Sequence, residues 1–180
     1  ALNPFTIRAF NTLYYHRVLQ RTSSRRCYYA PFFYPLDNIL HWNRLYGSSG
    51  FTQHQFVIPR AAGAAAMADL LRFIANSGRG SFLAVLKTLG PENGNWLSFP
   101  MEGYTLALDF KIGKGLFEFL DELDRRVMDY GGRMYLTKDV RMGPAALRAG
   151  YPQAKKLVAL RQSMGLDKVF NSLQSQRLEL

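Results

Sequence analysis

The central part of the chain alternates between two hydrophobic patterns. Four short stretches carry apolar residues at every second position and predict β-strands at 52–58, 81–87, 104–110 and 133–138. Two longer stretches, 60–78 and 116–132, repeat apolar residues three or four positions apart and predict helices. The resulting order β-α-β-β-α-β predicts a ferredoxin-like α+β core, an antiparallel sheet with both helices on one face.

The segments that flank this core have weaker patterns. Residues 5–20 predict an aromatic helix, and 27–37 predict an extended or looping segment because they contain two prolines. The tail from 144 onward predicts two or three helices, the clearest at 152–164. The predicted organisation therefore has three consecutive parts, an N-terminal helix with an extended lead-in, the α+β core and a C-terminal helical segment, at 1–36, 37–140 and 141–180.

Strand alternation predicts which side chains face away from the helices. Leu106, Leu108 and Phe110 are expected to face the helices, which leaves the intervening positions of the strand on the opposite face. That face is predicted to collect polar groups suited to the oxygen atoms of a ligand: Gln53, Gln55, Lys87, Thr105, Tyr135 and Lys138. Lys138 is expected near the rim of the sheet. Residue type alone leaves a plain solvent-exposed sheet face as the alternative.

Composition limits the classes of partner. The net charge of +10 indicates a polyanionic partner, but the chain has no clear basic stripe interleaved with stacking aromatics, so nucleic-acid binding is not expected. A phosphate-bearing substrate, an anionic cofactor or an anionic membrane surface fits the charge equally well. No apolar run reaches the ~18 residues that span a bilayer.

Reactive side chains are few. Cys27 is the only cysteine, which excludes an internal disulfide and a thiol-based zinc site and favours a reducing compartment. The three histidines lack metal-like spacing, so no metal site is predicted, and His54 is expected to pack under a helix. No nucleophile or general base can be assigned with a catalytic role. The residues by themselves predict a ligand-binding or interaction domain.

Four blocks, in a fixed order and spacing, carry a resemblance to a known family. They resemble the carboxyl-terminal substrate domain of flavin-dependent oxidases in the vanillyl-alcohol-oxidase superfamily, and in particular the decaprenylphosphoryl-ribose oxidase group. The closing residues Asp167, Phe170 and Ser172 are also typical of that superfamily. The blocks are "FYPLDNILHWNRLYGSSGFTQHQFVIP" (33–59), "SFLAVLKTLGPENGNWLSFPMEGYTLALDF" (81–110), "FLDELDRRVMDYGGRMYLTKD" (119–139) and "YPQAKKLVALRQSMGLDKVFNSLQSQRL" (151–178).

The resemblance implies a function for the whole protein. Relatives carry an amino-terminal FAD-binding domain, and their second domain lays its sheet over the flavin to shape the substrate pocket. This chain resembles the second domain only, so we expect it to be the carboxyl-terminal part of a longer cytoplasmic flavoprotein, inactive by itself, or else a separate subunit. The implied reaction is oxidation of a sugar hydroxyl, such as that of a polyprenyl-phosphate-linked ribose, by hydride transfer to flavin. The implied partners are an FAD-binding domain of the same protein and a sugar or lipid-phosphate-sugar substrate, and the positive charge also suits peripheral membrane association. An aldonolactone or sugar-alcohol oxidase of the same superfamily and a non-catalytic binding domain are the alternatives.

The resemblance also assigns roles to single residues. Lys138 and Tyr135 match positions close to the flavin, where a cation stabilises the charge that hydride transfer creates. The residues that match positions in the substrate pocket are Gln53, Gln55, Lys87, Thr105, Phe33 and Ala107. Two of these depart from the best-known relatives, which have a tyrosine at Phe33 and a cysteine at Ala107. Both departures affect the expected identity of the substrate more than the expected chemistry.

Overall fold

A computed structural model describes residues 4–34 and 40–180 of the chain. The chain divides into two compact units, Ala1–Phe51 and Thr52–Leu180. The first unit contains helices α1 (Pro4–His16) and α2 (Tyr29–Phe33) and a 3₁₀ turn at Trp42–Tyr46. The predicted boundaries at 36/37 and 140/141 stay predictions.

The second unit contains the sheet and the remaining helices. The strands are β1 (Phe51–Pro59, which begins at the unit boundary), β2 (Ala84–Leu89), β3 (Gly103–Lys111) and β4 (Arg133–Met134). The helices are α3 (Gly63–Asn76), α4 (Leu116–Asp129), α5 (Pro144–Gly150), α6 (Ala154–Ser163) and α7 (Leu173–Leu178), with 3₁₀ turns at Arg60–Ala62, Leu136–Lys138 and Leu166–Lys168. The described residues thus confirm the predicted α+β fold with flanking helices.

The sheet has the strand order that the β-α-β-β-α-β pattern requires. Its four antiparallel strands are ordered β2-β3-β1-β4, so the first and third strands lie in the centre. Leu86 of β2 pairs with Leu106 of β3, and Phe56 of β1 pairs with Met134 of β4. Gly103 lies where β3 approaches β1 so closely that a Cβ atom there would be 2.0 Å from the carbonyl oxygen of Ile58. Only glycine fits at that position.

The hydrophobic core lies between one face of the sheet and the helices. The strands contribute Phe56, Ile58, Leu106, Leu108 and Phe110, all nearly inaccessible to solvent, as alternation predicts. Helices α3 and α4 supply the facing residues, among them Met67, Leu70, Leu120, Leu123 and Val127. Leu147 of α5 and Leu178 of α7 belong to the same core, so the C-terminal helices are part of this unit.

Two predicted strands differ from the observed ones by more than one residue at an end. β2 begins at Ala84 rather than at residue 81. The Ser81 hydroxyl accepts hydrogen bonds from the backbone N–H groups of Leu83 and Asp109, at 3.2 and 2.9 Å, and so occupies groups that a longer ladder would pair. β4 ends at Met134, and a 3₁₀ turn at Leu136–Lys138 replaces the predicted continuation to residue 138.

The prediction of an extended or looping 27–37 segment is wrong in part, because Tyr29–Phe33 form the helix α2. Pro31 is in the first turn of this helix, where its missing N–H is not needed. The N–H of Tyr34 donates to the Ala30 carbonyl at 2.8 Å and closes the helix. Residues 35–37 lie outside the described residues.

Candidate functional site

The face of the sheet opposite the helices holds the two glutamines of β1 by hydrogen bonds to β3. The Gln53 amide donates to Asp109 Oδ1 at 2.8 Å, and the Gln55 amide donates to Thr105 Oγ1 at 3.2 Å. Thr105 Oγ1 in turn donates to the Phe56 carbonyl at 2.8 Å. Both glutamines are half-buried, whereas Thr105 and Asp109 are 2% and 0% exposed. Buried partners therefore fix the orientation of two side chains that solvent can still reach.

Each glutamine keeps hydrogen-bonding capacity beyond these contacts. A carboxamide has two N–H donors and one carbonyl acceptor, and each contact uses a single N–H. Among the described residues, nothing else bonds to either amide. The pair can therefore offer both a donor and an acceptor to a ligand, which matches the hydroxyl groups of a sugar.

Strand register places two more of the predicted site residues on this face. Lys87 of β2 lies directly opposite Thr105 of β3, and Val85 lies opposite Ala107. Residues opposite each other in an antiparallel pair project to the same face. Lys87 is exposed and Ala107 is half-buried. The face thus combines a cation with a small apolar position beside the glutamines.

The turn after β4 brings Tyr135 and Lys138 to the same part of the sheet. The backbone N–H of Tyr135 donates to the Gln55 carbonyl at 2.8 Å, which extends the β1–β4 contact by one residue. Its ring stacks on Phe99, with the ring centroids 4.3 Å apart. Lys138 ends the 3₁₀ turn and is partly exposed.

A cavity of about 10 Å³ lies where these elements meet. That is roughly the space that one buried water molecule needs. Four predicted site residues line the cavity together with residues of the helix-covered side. The lining includes Gln53, Gln55, Tyr135 and Lys138 as well as His54, Leu120, Asp124 and Arg141. The sequence blocks that carry the four predicted residues are far apart along the chain, so the fold brings them together.

A buried carboxylate holds the turn that carries Lys138. Asp139 accepts hydrogen bonds from the backbone N–H groups of Arg141 and Met142, at 3.0 and 2.7 Å, and pairs with the Arg177 guanidinium of α7 at 2.8 Å. Burial by itself raises the pKa of Asp139, but the N–H groups of Met142 and Arg141 and the charge of Arg177 outweigh burial and hold that pKa below its usual range. Asp139 is therefore ionised at neutral pH and fixes the backbone next to Lys138.

The C-terminal helices make further contacts with the same turn. The Gln174 amide of α7 donates to the Leu136 carbonyl at 2.7 Å. The Tyr151 hydroxyl donates to the Met134 carbonyl at 2.6 Å, and burial raises the pKa of Tyr151, which keeps this donor protonated. The position of Lys138 thus depends on α7 as well as on the sheet.

A second polar cluster lies on the helix-covered side, and sequence reasoning missed it. His54 Nε2 is 3.1 Å from Asp124 Oδ1 of α4, and Arg141 is 2.7 Å from the other oxygen of the same carboxylate. Arg141 also pairs with the exposed Asp121. His54 does pack under a helix, as predicted, but against a charged partner. The sequence did contain a signal for this cluster. In the helical repeat of α4, Asp124 falls on the buried side beside Leu120 and Leu123.

The predicted residues thus fall into three groups. Gln53, Gln55, Tyr135 and Lys138 share one cavity. Lys87, Thr105 and Ala107 lie on the same sheet face beside it. Phe33 belongs to the first unit, at the end of α2, and is 67% exposed there. The structure adds Asp109 and Asp139 as residues that position the predicted ones, while binding of substrate or cofactor by any of them stays a prediction.

Comparison with known proteins supports the family resemblance. No protein-family profile matches the chain. The chain is 44% identical over 149 residues to the decaprenylphosphoryl-beta-D-ribose oxidase of Mycolicibacterium smegmatis, an alignment that covers 83% of this chain and 32% of that protein. It is 38% identical over 112 residues to an uncharacterized protein in the mprA 5′ region of Streptomyces coelicolor, covering 62% of this chain and 30% of that protein.

These values confirm the resemblance to the decaprenylphosphoryl-ribose oxidase group and relate the chain to an oxidoreductase. The chain spans about a third of the length of the curated relatives that it matches.

Proposed function

We propose that this chain forms the substrate-facing wall of an FAD-dependent oxidoreductase that oxidises a sugar hydroxyl. One observation carries the proposal: Gln53, Gln55, Tyr135 and Lys138, which the resemblance assigns to substrate and flavin, lie together around a cavity with room for about one water molecule. Similarity to a decaprenylphosphoryl-beta-D-ribose oxidase supports a lipid-phosphate-linked ribose as the substrate.

The side chains at this face suit the flavin ring of FAD. Tyr135 offers an aromatic ring, Lys138 a cation and the two glutamines neutral hydrogen-bonding groups. The neighbouring carboxylates, Asp109 and Asp139, are both hydrogen-bonded to other side chains. These groups match a flat, polar ring system that gains negative charge on reduction. When bound, the flavin supplies the hydride acceptor.

Four residues of the candidate site have a defined task in this proposal. Gln53 and Gln55 bind the sugar hydroxyls and orient the carbon that loses hydride, because their amides are already held by Asp109 and Thr105. Lys138 holds a positive charge where negative charge develops. Lys87, exposed at the β2 side of the same face, attracts the phosphate of the substrate.

The proposal includes a partner and a location. FAD is bound mainly by an FAD-binding domain of the same protein, and this chain contributes the wall over the flavin. The location is the cytoplasm. Within the described ranges, 4–34 and 40–180, no helix is long and apolar enough to cross a membrane.

Substitution of Lys138 in the full-length protein tests the assigned chemistry. We expect Lys138→Met to lower kcat by about 100-fold or more with a smaller change in KM, because the charge acts on the transition state. Lys155→Met, on the exposed surface of α6, is the matched control and should leave both parameters unchanged. Equal kcat values for Lys138→Met and the control would contradict the role of Lys138.

Cofactor and substrate are tested separately. FAD titrated into the 180-residue chain should not bind tightly, while the full-length protein should bind it. Tight binding by this chain would overturn the proposed division of labour. Full-length protein should then oxidise polyprenyl-phosphate ribose in preference to aldonolactones and sugar alcohols. The opposite preference would identify the alternative oxidase, and no flavin binding by either form would identify a binding domain.

A further inference from the structure

Residues 4–34 differ in charge from the rest of the chain. They contain five arginines and none of the 13 acidic residues, so this short segment carries half of the net charge of +10. The five are Arg8, Arg17, Arg21, Arg25 and Arg26. Residues 4–34 contain no carboxylate that could pair with them, whereas seven of the ten arginines in 52–180 are ion-paired within their own unit.

The same segment is rich in exposed apolar and aromatic side chains. From residue 5 to residue 34 every side chain except Ile7 is exposed. Leu13 and Leu19 are 75% and 93% exposed, and Phe5 and Tyr15 are each 80% exposed. Along α1 the rings of Phe10 and Tyr14 stack 5.7 Å apart, and the Arg17 guanidinium lies 3.7 Å from the centre of the Tyr14 ring. Apolar groups and cations thus occur side by side on one segment.

This combination matches the boundary between lipid headgroups and acyl chains. Arginines near an anionic bilayer gain favourable electrostatic energy, and aromatic rings with a polar edge are enriched at the interface. Aliphatic side chains such as Leu13, Val18 and Leu19 can enter the acyl region, where bases of a nucleic acid would offer them no comparable contact. Five arginines in a segment that contains no carboxylate favour an anionic surface over a neutral one.

We propose that residues 4–34 bind the surface of an anionic phospholipid bilayer. The helix α1 lies along the interface with its aliphatic and aromatic side chains towards the acyl chains, and the arginines contact lipid phosphates. The proposal goes beyond the oxidation of a sugar and does not depend on flavin chemistry. It would place the protein at the membrane where a lipid-linked substrate is found.

Vesicle co-sedimentation of the full-length protein tests the proposal. Wild-type protein should bind vesicles of phosphatidylcholine with phosphatidylglycerol, bind pure phosphatidylcholine weakly, and dissociate as salt is raised. Replacement of all five arginines by glutamine should weaken binding by about 100-fold or more. The matched control replaces five exposed basic residues of 52–180 by glutamine, namely Arg72, Lys111, Lys114, Lys155 and Lys168, and should retain most of the binding.

Equal losses in the two sets would overturn the proposal, because net charge alone would then explain binding. Equal binding to pure phosphatidylcholine would overturn it as well.

A second variant, Leu13→Ser with Leu19→Ser, separates membrane binding from packing within the protein. We expect weaker vesicle binding with an unchanged thermal midpoint. A lowered midpoint with unchanged vesicle binding, or complete displacement of the protein from vesicles by single-stranded RNA, would contradict a membrane surface.

Discussion

The two faces of the sheet both bury polar groups, but they do so in different ways. On the helix-covered face His54 and Arg141 both lie against the buried carboxylate of Asp124 and form a largely enclosed polar cluster. On the opposite face Gln53 and Gln55 each use one N–H towards β3 and stay half-exposed. The first face is occupied by the protein's own groups, and the second keeps hydrogen-bonding capacity for a ligand. Substitutions on the two faces should therefore change different properties, stability on one and ligand affinity on the other.

The largest effect on stability is expected at Asp124. Asp124→Ala leaves His54 and Arg141 without their shared buried carboxylate, and loss of one partner of a buried ion pair costs about 3–5 kcal/mol. Urea unfolding of the chain measures the change. Asp121→Ala removes the exposed carboxylate bound by the same arginine and should cost less than about 1 kcal/mol. Similar losses of stability for both variants would show that burial does not make the Asp124 carboxylate more important for stability than the Asp121 carboxylate.

Thr105→Val tests the second face, with an intermediate effect on stability. The Thr105 hydroxyl is buried and bonds both the Gln55 amide and the Phe56 carbonyl, so its loss should lower the free energy of unfolding by about 1–3 kcal/mol. Because Gln55 also loses its orientation, KM for the sugar should rise in the full-length enzyme. Thr88→Val, the same change at an exposed position of β2, should alter neither quantity. A variant of Thr105 that loses stability but keeps its KM would assign the hydroxyl to the fold alone.

The sequence predicts which strand residues lie on each face of the sheet, but it does not predict the contacts that those residues make. Alternation from Leu106 to Phe110 predicts one buried side, and the strand order of the sheet follows from β-α-β-β-α-β. The pairing of His54 with Asp124 joins a strand to a distant helix, and no local pattern encodes such a contact. Lys138 was predicted at the end of a strand because residues 133–138 alternate. In the structure the N–H groups of Lys138 and Asp139 donate instead to the carbonyls of Tyr135 and Leu136 in a 3₁₀ turn, and the Asp139 side chain then accepts hydrogen bonds from the residues that follow.

Asp139→Asn tests the turn after β4, where the two faces meet. The substitution should lower the free energy of unfolding by about 1 kcal/mol at neutral pH, less than the changes above. The pKa of Asp139 in the folded chain lies below the ordinary value of 3.8, so its ionised form stabilises the fold above that pH. The stability difference between wild type and Asp139→Asn should shrink as the pH falls below 3.8 towards the lowered pKa. Unfolding curves at several pH values measure it. Glu179→Gln, which affects an exposed pair with Arg148, is the control and should give no comparable difference. A difference independent of pH would show that the charge of Asp139 does not matter.

The smallest effect on stability, and the sharpest contrast between the faces, is expected at Ala107. This half-buried residue lies on the ligand side of β3, between Thr105 and Asp109 and opposite Val85. Ala107→Leu adds volume outside the core, so the free energy of unfolding should change by less than about 0.5 kcal/mol. The same volume would occupy space beside the glutamines, and kcat/KM for the sugar should fall by about tenfold or more, since displacement of a bound substrate from its productive geometry is costly. Lys111→Leu adds a similar side chain to the same strand face at its exposed end and should keep wild-type kinetics. If Ala107→Leu leaves kcat/KM unchanged, the substrate does not contact this part of the sheet, and the proposed site would have to lie nearer to Tyr135 and Lys138.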